Sequence, residues 1–233
     1  MRDQFKFADG LDVADKTALL RIDVNVPIVN GLVSNDTRIR HVMPGVRALL
    51  DNGAKVVILT HFGRPKGKIV PSLSVRPVAK AISEILDQPV PVESDVIGKG
   101  GRAAVDALRP GDILLMENLR FYSGEEENDL EFARSLAELG DLYIGDAFSC
   151  AHRAHASVDA LPRMMPSAVG RSFIAELEAL QAALSHSATL PDAHVALAKR
   201  YRTDHIQAEK EGDRPQIIRA EGLLERHVGA LPK

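Results

Sequence analysis

The chain has 233 residues, a formal net charge of -3, 45% hydrophobic and 26% charged residues, and 4% aromatic residues. This balance is ordinary for a globular protein and argues against a nucleic-acid or acidic-membrane binder. No apolar run reaches the length of about 18 residues that a membrane-spanning helix needs, there is no secretory apolar region, and the single cysteine excludes an internal disulfide, so a cytoplasmic protein is expected.

Apolar runs alternate with segments of helical spacing along the first half of the chain. Residues 18–24 predict a strand, and residues 37–53 repeat apolar side chains at helical spacing. Pro44 conflicts with this helix, because proline removes one helical hydrogen bond. Residues 55–60 predict a second buried strand, and residues 72–87 predict a second helix.

The second half continues the alternation. Residues 89–93 form a short strand or an edge piece, since two prolines weaken their pairing. The following segments predict a helix at 102–108, a strand at 112–118, a helix at 129–140, a strand at 141–147 and a helix at 173–184.

Strands that are apolar throughout and alternate with helices are typical of a parallel sheet that is covered on both faces. The sequence therefore predicts an α/β fold with a Rossmann-like parallel sheet and helices on both faces. A helical segment follows this sheet. From residue 185 onward we expect an irregular or helical tail, because no convincing strand–helix–strand unit is present there.

Polar side chains follow the end of each of the four long predicted strands, which is where open parallel sheets bind ligands. These residues are Asp23 and Asn25, then His61, Gly63 and Arg64, then Arg120, and finally Asp146, His152, Arg153 and His155. Arg38 falls in the first turn of the helix after the first strand. We expect these side chains to meet at one rim of the sheet.

Guanidinium groups bind phosphate or carboxylate through two parallel hydrogen bonds, and a carboxylate with an amide suits a hydroxyl. A small ligand that carries these three groups would fit Asp23, Asn25 and the basic residues. A single arginine or histidine after a strand is also typical of a solvated surface. From spacing alone, an anion site and a set of surface side chains both remain open.

Other patterns give weaker signals. No G-x-x-x-x-G-K-[ST] phosphate loop occurs, and the glycine-rich segment 98–103 lacks the strand that a dinucleotide fingerprint requires directly before it. His152 and His155 have no further cluster of cysteine or histidine beside them, so no metal site is expected. Cys150 is interpreted as a small filler, and the acidic segment 124–129 as a solvated loop and helix start.

Several separate motifs carry a family resemblance. They are RIDVNVP, NDTRIR, HFGRPKGK, SLSVRPVA, PGDILLMENLRF, GDAFSCAHRAHAS and MPSAVG. The residues of these motifs and their order along the chain resemble those of phosphoglycerate kinases, from about residue 5 to about residue 184. By this resemblance residues 1–170 are the N-terminal domain, residues 171–184 are the hinge helix, and residues 185–233 are a divergent tail.

The resemblance implies an enzyme of glycolysis that transfers a phosphoryl group to a carboxylate. In this family the N-terminal domain holds 3-phosphoglycerate or 1,3-bisphosphoglycerate, and the C-terminal domain holds Mg-ADP or Mg-ATP. The two domains close together, and a monomer is expected. The implied substrate-binding residues are Asp23, Val24, Asn25, Arg38, His61, Phe62, Gly63, Arg64, Arg120, Arg153 and His155. Arg38 also resembles a catalytic arginine that steadies the transferring group.

Three departures from the family pattern stand out. Phe62 replaces a leucine, and Ser149 with Cys150 replaces a Gly-Thr pair. After Leu184 neither the G-G-A-K-V-S-x-K segment nor the G-G-G-D-T segment of the nucleotide half follows. We therefore expect that this chain alone lacks the nucleotide half and its Mg-ATP or Mg-ADP site. The alternative is a non-catalytic small-anion-binding module or an interaction protein, and association through exposed apolar surface is possible.

Overall fold

The computed structural model describes residues 7–187 and contains a six-stranded sheet in which every pairing is parallel. The strands are β1 Thr17–Ile22, β2 Ile28–Val29, β3 Leu32–Val33, β4 Lys55–Leu59, β5 Val92–Glu93, β6 Ile113–Met116, β7 Leu142–Asp146 and β8 Ser167–Val169. The order in the main sheet is β5-β6-β4-β1-β7-β8, while β2 and β3 form a separate antiparallel hairpin. The predicted α/β fold with a parallel, Rossmann-like sheet is confirmed.

Helices connect the strands of the sheet. They are α1 Thr37–Asp51, α2 Arg76–Leu86, α3 Lys99–Asp106, α4 Ser123–Glu126, α5 Leu130–Ala137, α6 Leu161–Met164 and α7 Arg171–Ser187. The helix that the sequence predicted from residue 72 begins at Arg76, because Pro71–Leu73 form a separate 3-10 turn. The sequence did not predict the short elements α4, α6 and β8.

The two faces of the sheet carry separate apolar clusters, since successive side chains of a strand point to opposite faces. In β1, Leu20 and Ile22 belong to the cluster that is covered by α1 and α2, while Leu19 belongs to the cluster beside α5. In β4, Ile58 and Leu59 divide in the same way. Burial on both faces explains why these strands are apolar throughout, and each large side chain contributes about 1.5–3 kcal/mol.

The four longest strands, β6, β4, β1 and β7, are neighbours at the centre of the sheet. Leu20 pairs with Ile58 of β4 on one side and with Ile144 of β7 on the other. Because all four strands run in the same direction, their carboxyl ends form one continuous rim. This rim is the edge at which the sequence placed its polar residues.

The compact unit formed by the first part of the chain ends at Ala175, and residues Glu176–Lys233 group separately. The predicted helix at 173–184 is present within α7, but its role as a hinge stays a prediction. Residues 188–233 of the predicted tail lie outside the described residues. Among residues 7–187, no helix combines the length and apolar character needed to cross a membrane.

Pro44 lies inside α1 on its exposed side. We expect Pro44→Ala to raise the free energy of unfolding by about 1–2 kcal/mol, because alanine restores a helical hydrogen bond and little packing is lost. Urea unfolding followed by circular dichroism measures this gain. Pro71→Ala is the matched control, since Pro71 is exposed at the start of a 3-10 turn, where its fixed φ is favourable. An equal gain in both variants would contradict the explanation.

Candidate functional site

Asp23 connects three parts of the rim. One oxygen of its carboxylate accepts hydrogen bonds from Arg38 Nη1 at 3.1 Å and from Ser149 Oγ at 2.6 Å. The other oxygen accepts from the Asn25 N–H at 3.0 Å. The end of β1 is thereby tied to the first turn of α1 and to the loop after β7.

Gly63 joins the ends of β1, β4 and β6. Its N–H donates to Asn25 Oδ1 at 3.2 Å, and its carbonyl accepts from Arg120 Nη1 at 2.8 Å. The backbone of Gly63 has a φ of +58°, and an added Cβ would lie 2.7 Å from the Leu73 side chain. Glycine is therefore favoured at this junction, because the positive φ strains other residues and an added Cβ would force the Leu73 side chain to move.

Two of the residues implied by the resemblance have their side chains in the core. Val24 and Phe62 are buried in the apolar cluster that α1 and α2 cover. The backbone N–H and carbonyl of Phe62 are both engaged by the Asn118 side chain, at 3.0 and 2.7 Å. Asn118 therefore fixes the turn after β4, and Phe62 supports the rim without presenting its side chain there.

Four buried or half-buried basic residues follow the ends of β4, β6 and β7. They are His61, Arg120, Arg153 and His155, and their charges interact with one another. Arg21 belongs to the same group, since its Nη2 lies 3.0 Å from His61 Nδ1. Arg21 was not among the residues predicted from the sequence. A charged residue within an otherwise apolar buried strand is the signal that could have found it.

The electrostatic environment keeps both histidines of this basic cluster neutral. Burial, followed by the positive charges of Arg21, Arg120 and Arg153, lowers the pKa of His61 far below its usual value. Burial, with Arg120 and Arg153 next in importance, lowers the pKa of His155 to about 3. The positive charges that oppose protonation of these histidines would also attract an anion.

Buried arginine nitrogen atoms at the rim are donors that an anion could accept from. Among residues 7–187, Arg120 Nη2 and Arg153 Nε have no hydrogen-bond partner, although Arg120 is only 3% exposed. Arg120 Nε lies 3.3 Å from the Glu126 carboxylate, which offsets part of the positive charge. An unsatisfied buried donor costs about 1–3 kcal/mol, and a bound phosphate or carboxylate would remove that cost.

Asp23, His61 and Cys150 lie close enough to be considered as a metal site. Their possible ligand atoms are all within 4.8 Å of one another, and the three residues are buried. However, His61 Nδ1 is occupied by Arg21, and the neighbouring guanidinium groups would repel a cation. The chemistry of this cluster therefore favours an anion, and the absence of a metal stays a prediction. Cys150 is buried, as a small filler would be.

The remaining predicted rim residues differ in position. Arg38 is at the edge of the rim with its side chain 51% exposed, and Arg64 is exposed one residue beyond Gly63. Asp146 turns away from the rim, because its carboxylate accepts from the Phe173 N–H at 2.7 Å and so begins α7. His152 is exposed.

The interpretation of residues 124–129 as a solvated loop is wrong for Glu125. This side chain is completely buried, and its two oxygens accept from the Ser157 hydroxyl at 2.6 Å and the Ser157 N–H at 2.9 Å. Ser157 lies 32 residues farther along the chain. Nothing in the acidic segment itself identified this distant partner.

Comparisons with known proteins agree with this architecture. A family model described as phosphoglycerate kinase matches residues 8–195. Curated phosphoglycerate kinases include one from a Caulobacter species, 52% identical over 182 residues, or 78% of this chain and 46% of the relative. Another, from Brucella suis biovar 1, is 50% identical over 184 residues, or 79% of this chain and 47% of the relative. The chain thus spans about half the length of the curated relatives it matches.

Two solved structures show the same likeness. The phosphoglycerate kinase from Coxiella burnetii has a TM-score of 0.69 at 36% identity, covering 78% of this chain and 45% of the solved chain. The phosphoglycerate kinase from Pyrococcus horikoshii has a TM-score of 0.69 at 33% identity, covering 76% of this chain and 45% of the solved chain. The sheet and its connections are therefore those of about half of such a chain.

The buried histidines predict a dependence of stability on pH. Histidine in the unfolded chain ionises near 6.5, whereas folded His155 stays neutral down to about 3. Between these values the unfolded state binds the extra proton, so stability falls as the pH decreases below 6.5. We expect His155→Gln to reduce the loss of unfolding free energy between about pH 7 and pH 5 by about 1–2 kcal/mol, measured by urea unfolding.

The matched control for this experiment is His152→Gln, three residues earlier in the chain. His152 is exposed, so its replacement is expected to leave the pH dependence as it is. The same loss of stability in the wild type and in His155→Gln would show that the explanation is incorrect.

Proposed function

This chain belongs to the phosphoglycerate kinase family, and from that premise we propose that its rim binds 3-phosphoglycerate or 1,3-bisphosphoglycerate. The reaction would be phosphoryl transfer to or from Mg-ATP or Mg-ADP in glycolysis. The observation that supports the proposal is that, within residues 7–187, the buried donors Arg120 Nη2 and Arg153 Nε have no hydrogen-bond partner. Asp23 and Asn25, at the same rim, are the residues proposed to hold the substrate hydroxyl.

The rim has two sets of side chains, each suited to a different chemical group of the ligand. Arg120, Arg153 and the neutral His61 offer hydrogen-bond donors to a phosphate or carboxylate, while the Asp23 carboxylate accepts from a hydroxyl. Gly63 holds Asn25 through its N–H and Arg120 Nη1 through its carbonyl, which belong to the two peptide units on either side of its Cα. Both parts of the ligand would therefore be positioned by the same backbone turn.

Arg38 is proposed to steady the phosphoryl group during transfer. It is held at Nη1 by Asp23 and by the Asn25 carbonyl at 3.3 Å, and half of its side chain remains exposed. A fixed guanidinium at the open edge of the rim would meet the donor from the solvent side. Phosphoryl transfer depends mainly on such positioning and charge neutralisation.

In this family the nucleotide binds to a part of the protein that these residues do not resemble. The sequence contains no G-G-A-K-V-S-x-K or G-G-G-D-T segment, and the chain spans about half the length of its relatives. Mg-ATP or Mg-ADP would therefore be presented by residues outside this region, and closure would exclude water from the acyl phosphate. A monomeric state and a cytoplasmic location stay predictions.

Binding of 3-phosphoglycerate tests the proposal directly. We expect isothermal titration calorimetry to show binding to the purified chain, and Arg120→Met to weaken it by a factor of about 10–100, because a charge-assisted bond is lost. Arg134→Met is the matched control, since Arg134 is exposed on α5 and pairs with Glu131. Arg153→Met provides a second test if Arg120→Met does not fold. An equal loss in the control, or no binding to folded wild type, would reject the proposal.

The choice of anion separates the proposal from its alternative. A site that also uses Asp23 and Asn25 is expected to prefer 3-phosphoglycerate over inorganic phosphate by a factor of about 10 or more. Competition between the two anions in the same calorimeter measures this preference. Equal affinity would favour the general small-anion module.

A coupled turnover assay tests the assignment of the two halves. With 3-phosphoglycerate and Mg-ATP, we expect no turnover from these 233 residues, because no nucleotide site is identified among them. Turnover that disappears in Arg38→Ala would instead show that a nucleotide site lies within this chain.

A further inference from the structure

A buried chain of hydrogen bonds lies beneath the rim and ends at His61. Its members are Glu125, Ser157, Arg21 and His61, and each is buried. Two of them, Glu125 and Arg21, have ionisable side chains, although these residues are only 0% and 1% exposed. Charges are rarely buried without a partner, so the arrangement calls for a reason beyond packing.

The direction of each hydrogen bond can be assigned. The Ser157 hydroxyl donates a hydrogen bond to Glu125 at 2.6 Å, so the lone pairs of Oγ can accept from Arg21 Nε at 2.9 Å. Arg21 Nη1 donates to the Ile22 carbonyl at 2.5 Å, and Nη2 lies 3.0 Å from His61 Nδ1. The guanidinium is held at three nitrogens, and its orientation is fixed.

The last bond decides where the His61 proton sits. Arginine has donors only and stays charged, so His61 Nδ1 must be the acceptor and carries no hydrogen. A neutral imidazole with an unprotonated Nδ1 has its proton on Nε2. A carboxylate in place of Arg21 would accept a hydrogen from Nδ1 and so favour the opposite tautomer. Nε2 would then carry a lone pair, which repels an anion.

We propose that Arg21, held in place by Ser157 and Glu125, is a positioning residue that locks His61 as the neutral Nε2–H tautomer, a hydrogen-bond donor for an anion at the rim. The part that concerns the anion rests on the proposed function. The tautomer itself is a property of the unliganded chain.

The charged groups around His61 also favour a neutral imidazole ring. The charged groups that face it are Arg21 from β1, Arg120 after β6, and Arg153 with His155 after β7, while Asp23 and Cys150 lie within reach. Three guanidinium groups oppose a second proton on the ring. His61 therefore donates its hydrogen bond without changing charge across the physiological range of pH.

The local backbone explains how Ser157 reaches Glu125. Ser157 lies in a single π-helical turn, Ala156–Ala160, directly before α6. Turns of this kind widen a helix at one point and are frequent at functional sites. Here both the N–H and the hydroxyl of Ser157 meet the same carboxylate.

Nuclear magnetic resonance of the histidine rings in the unliganded, ¹⁵N-labelled chain tests the proposal. For wild type we expect an unprotonated Nδ1 and a protonated Nε2 on His61, without change from about pH 5.5 to 8. In Ser157→Ala, which removes the acceptor for Arg21 Nε, we expect a mixture of tautomers and a titration within that range. The affinity for 3-phosphoglycerate should fall by a factor of about 10 in the same variant.

Two further variants complete the design. Ser135→Ala is the matched control, because the Ser135 hydroxyl donates to the Glu131 carbonyl of its own helix on the exposed side of α5. It should leave the His61 signals unchanged. Glu125→Gln is the second test, because the two hydrogens of Ser157 go to different carboxylate oxygens and a side-chain amide replaces one of these acceptors with a donor. It should shift the His61 signals in the same direction as Ser157→Ala.

The outcomes separate this inference from the proposed function. A proton on Nδ1 in wild type would overturn it, whatever the chain binds. Unchanged His61 signals in Ser157→Ala and Glu125→Gln, together with a lower melting temperature, would reduce the network to a structural support and also overturn it. If wild type shows the expected tautomer but does not bind 3-phosphoglycerate, the proposed function fails while the tautomer lock stands.

Discussion

A parallel sheet that is buried on both faces leaves its polar chemistry one accessible place, the rim beyond the carboxyl ends of its strands. Every side chain of β1 is buried, so the chain can reach solvent with functional groups only after Ile22. β6 is also buried throughout, and β4 is buried from Val56 to Leu59. His61 lies two residues after the end of β4, and the Glu117–Arg120 turn directly follows β6. The order of the central strands then brings these exits together.

Concentrating positive charge at this rim is costly, and a few carboxylates offset the cost. Glu126 pairs with Arg120, Asp23 pairs with Arg38, and Glu125 reaches Arg21 through Ser157. These pairs hold the guanidinium groups in position but leave donors on Arg120 and Arg153 unsatisfied within residues 7–187. The basic residues of the rim are therefore already held in position, so little reorganisation would be needed to bind the proposed anion.

The alternation of apolar runs with helical spacing was sufficient to predict the fold, because burial on two faces leaves an unambiguous pattern. The same logic placed His61 and Arg120 at strand ends. It failed where the partner lies far along the chain. Glu125 looked solvated because its neighbours are acidic, and Asp146 looked like a rim residue because it ends β7, yet Ser157 and the Phe173 N–H decide their positions. Arg21 was hidden inside a strand.

The contacts that complete the rim connect residues that are far apart along the chain and are therefore added at very different times during synthesis. Asp23 meets Ser149 across 126 positions, and Arg21 meets Ser157 across 136. β1 must also wait for β7, its neighbour on one side. Until residue 157 has been added, Arg21 Nε has no serine acceptor and Glu125 has no link to Arg21. A chain that ended before that point would contain most of the sheet and the rim residues but would lack the contact that holds the Arg21 guanidinium in place.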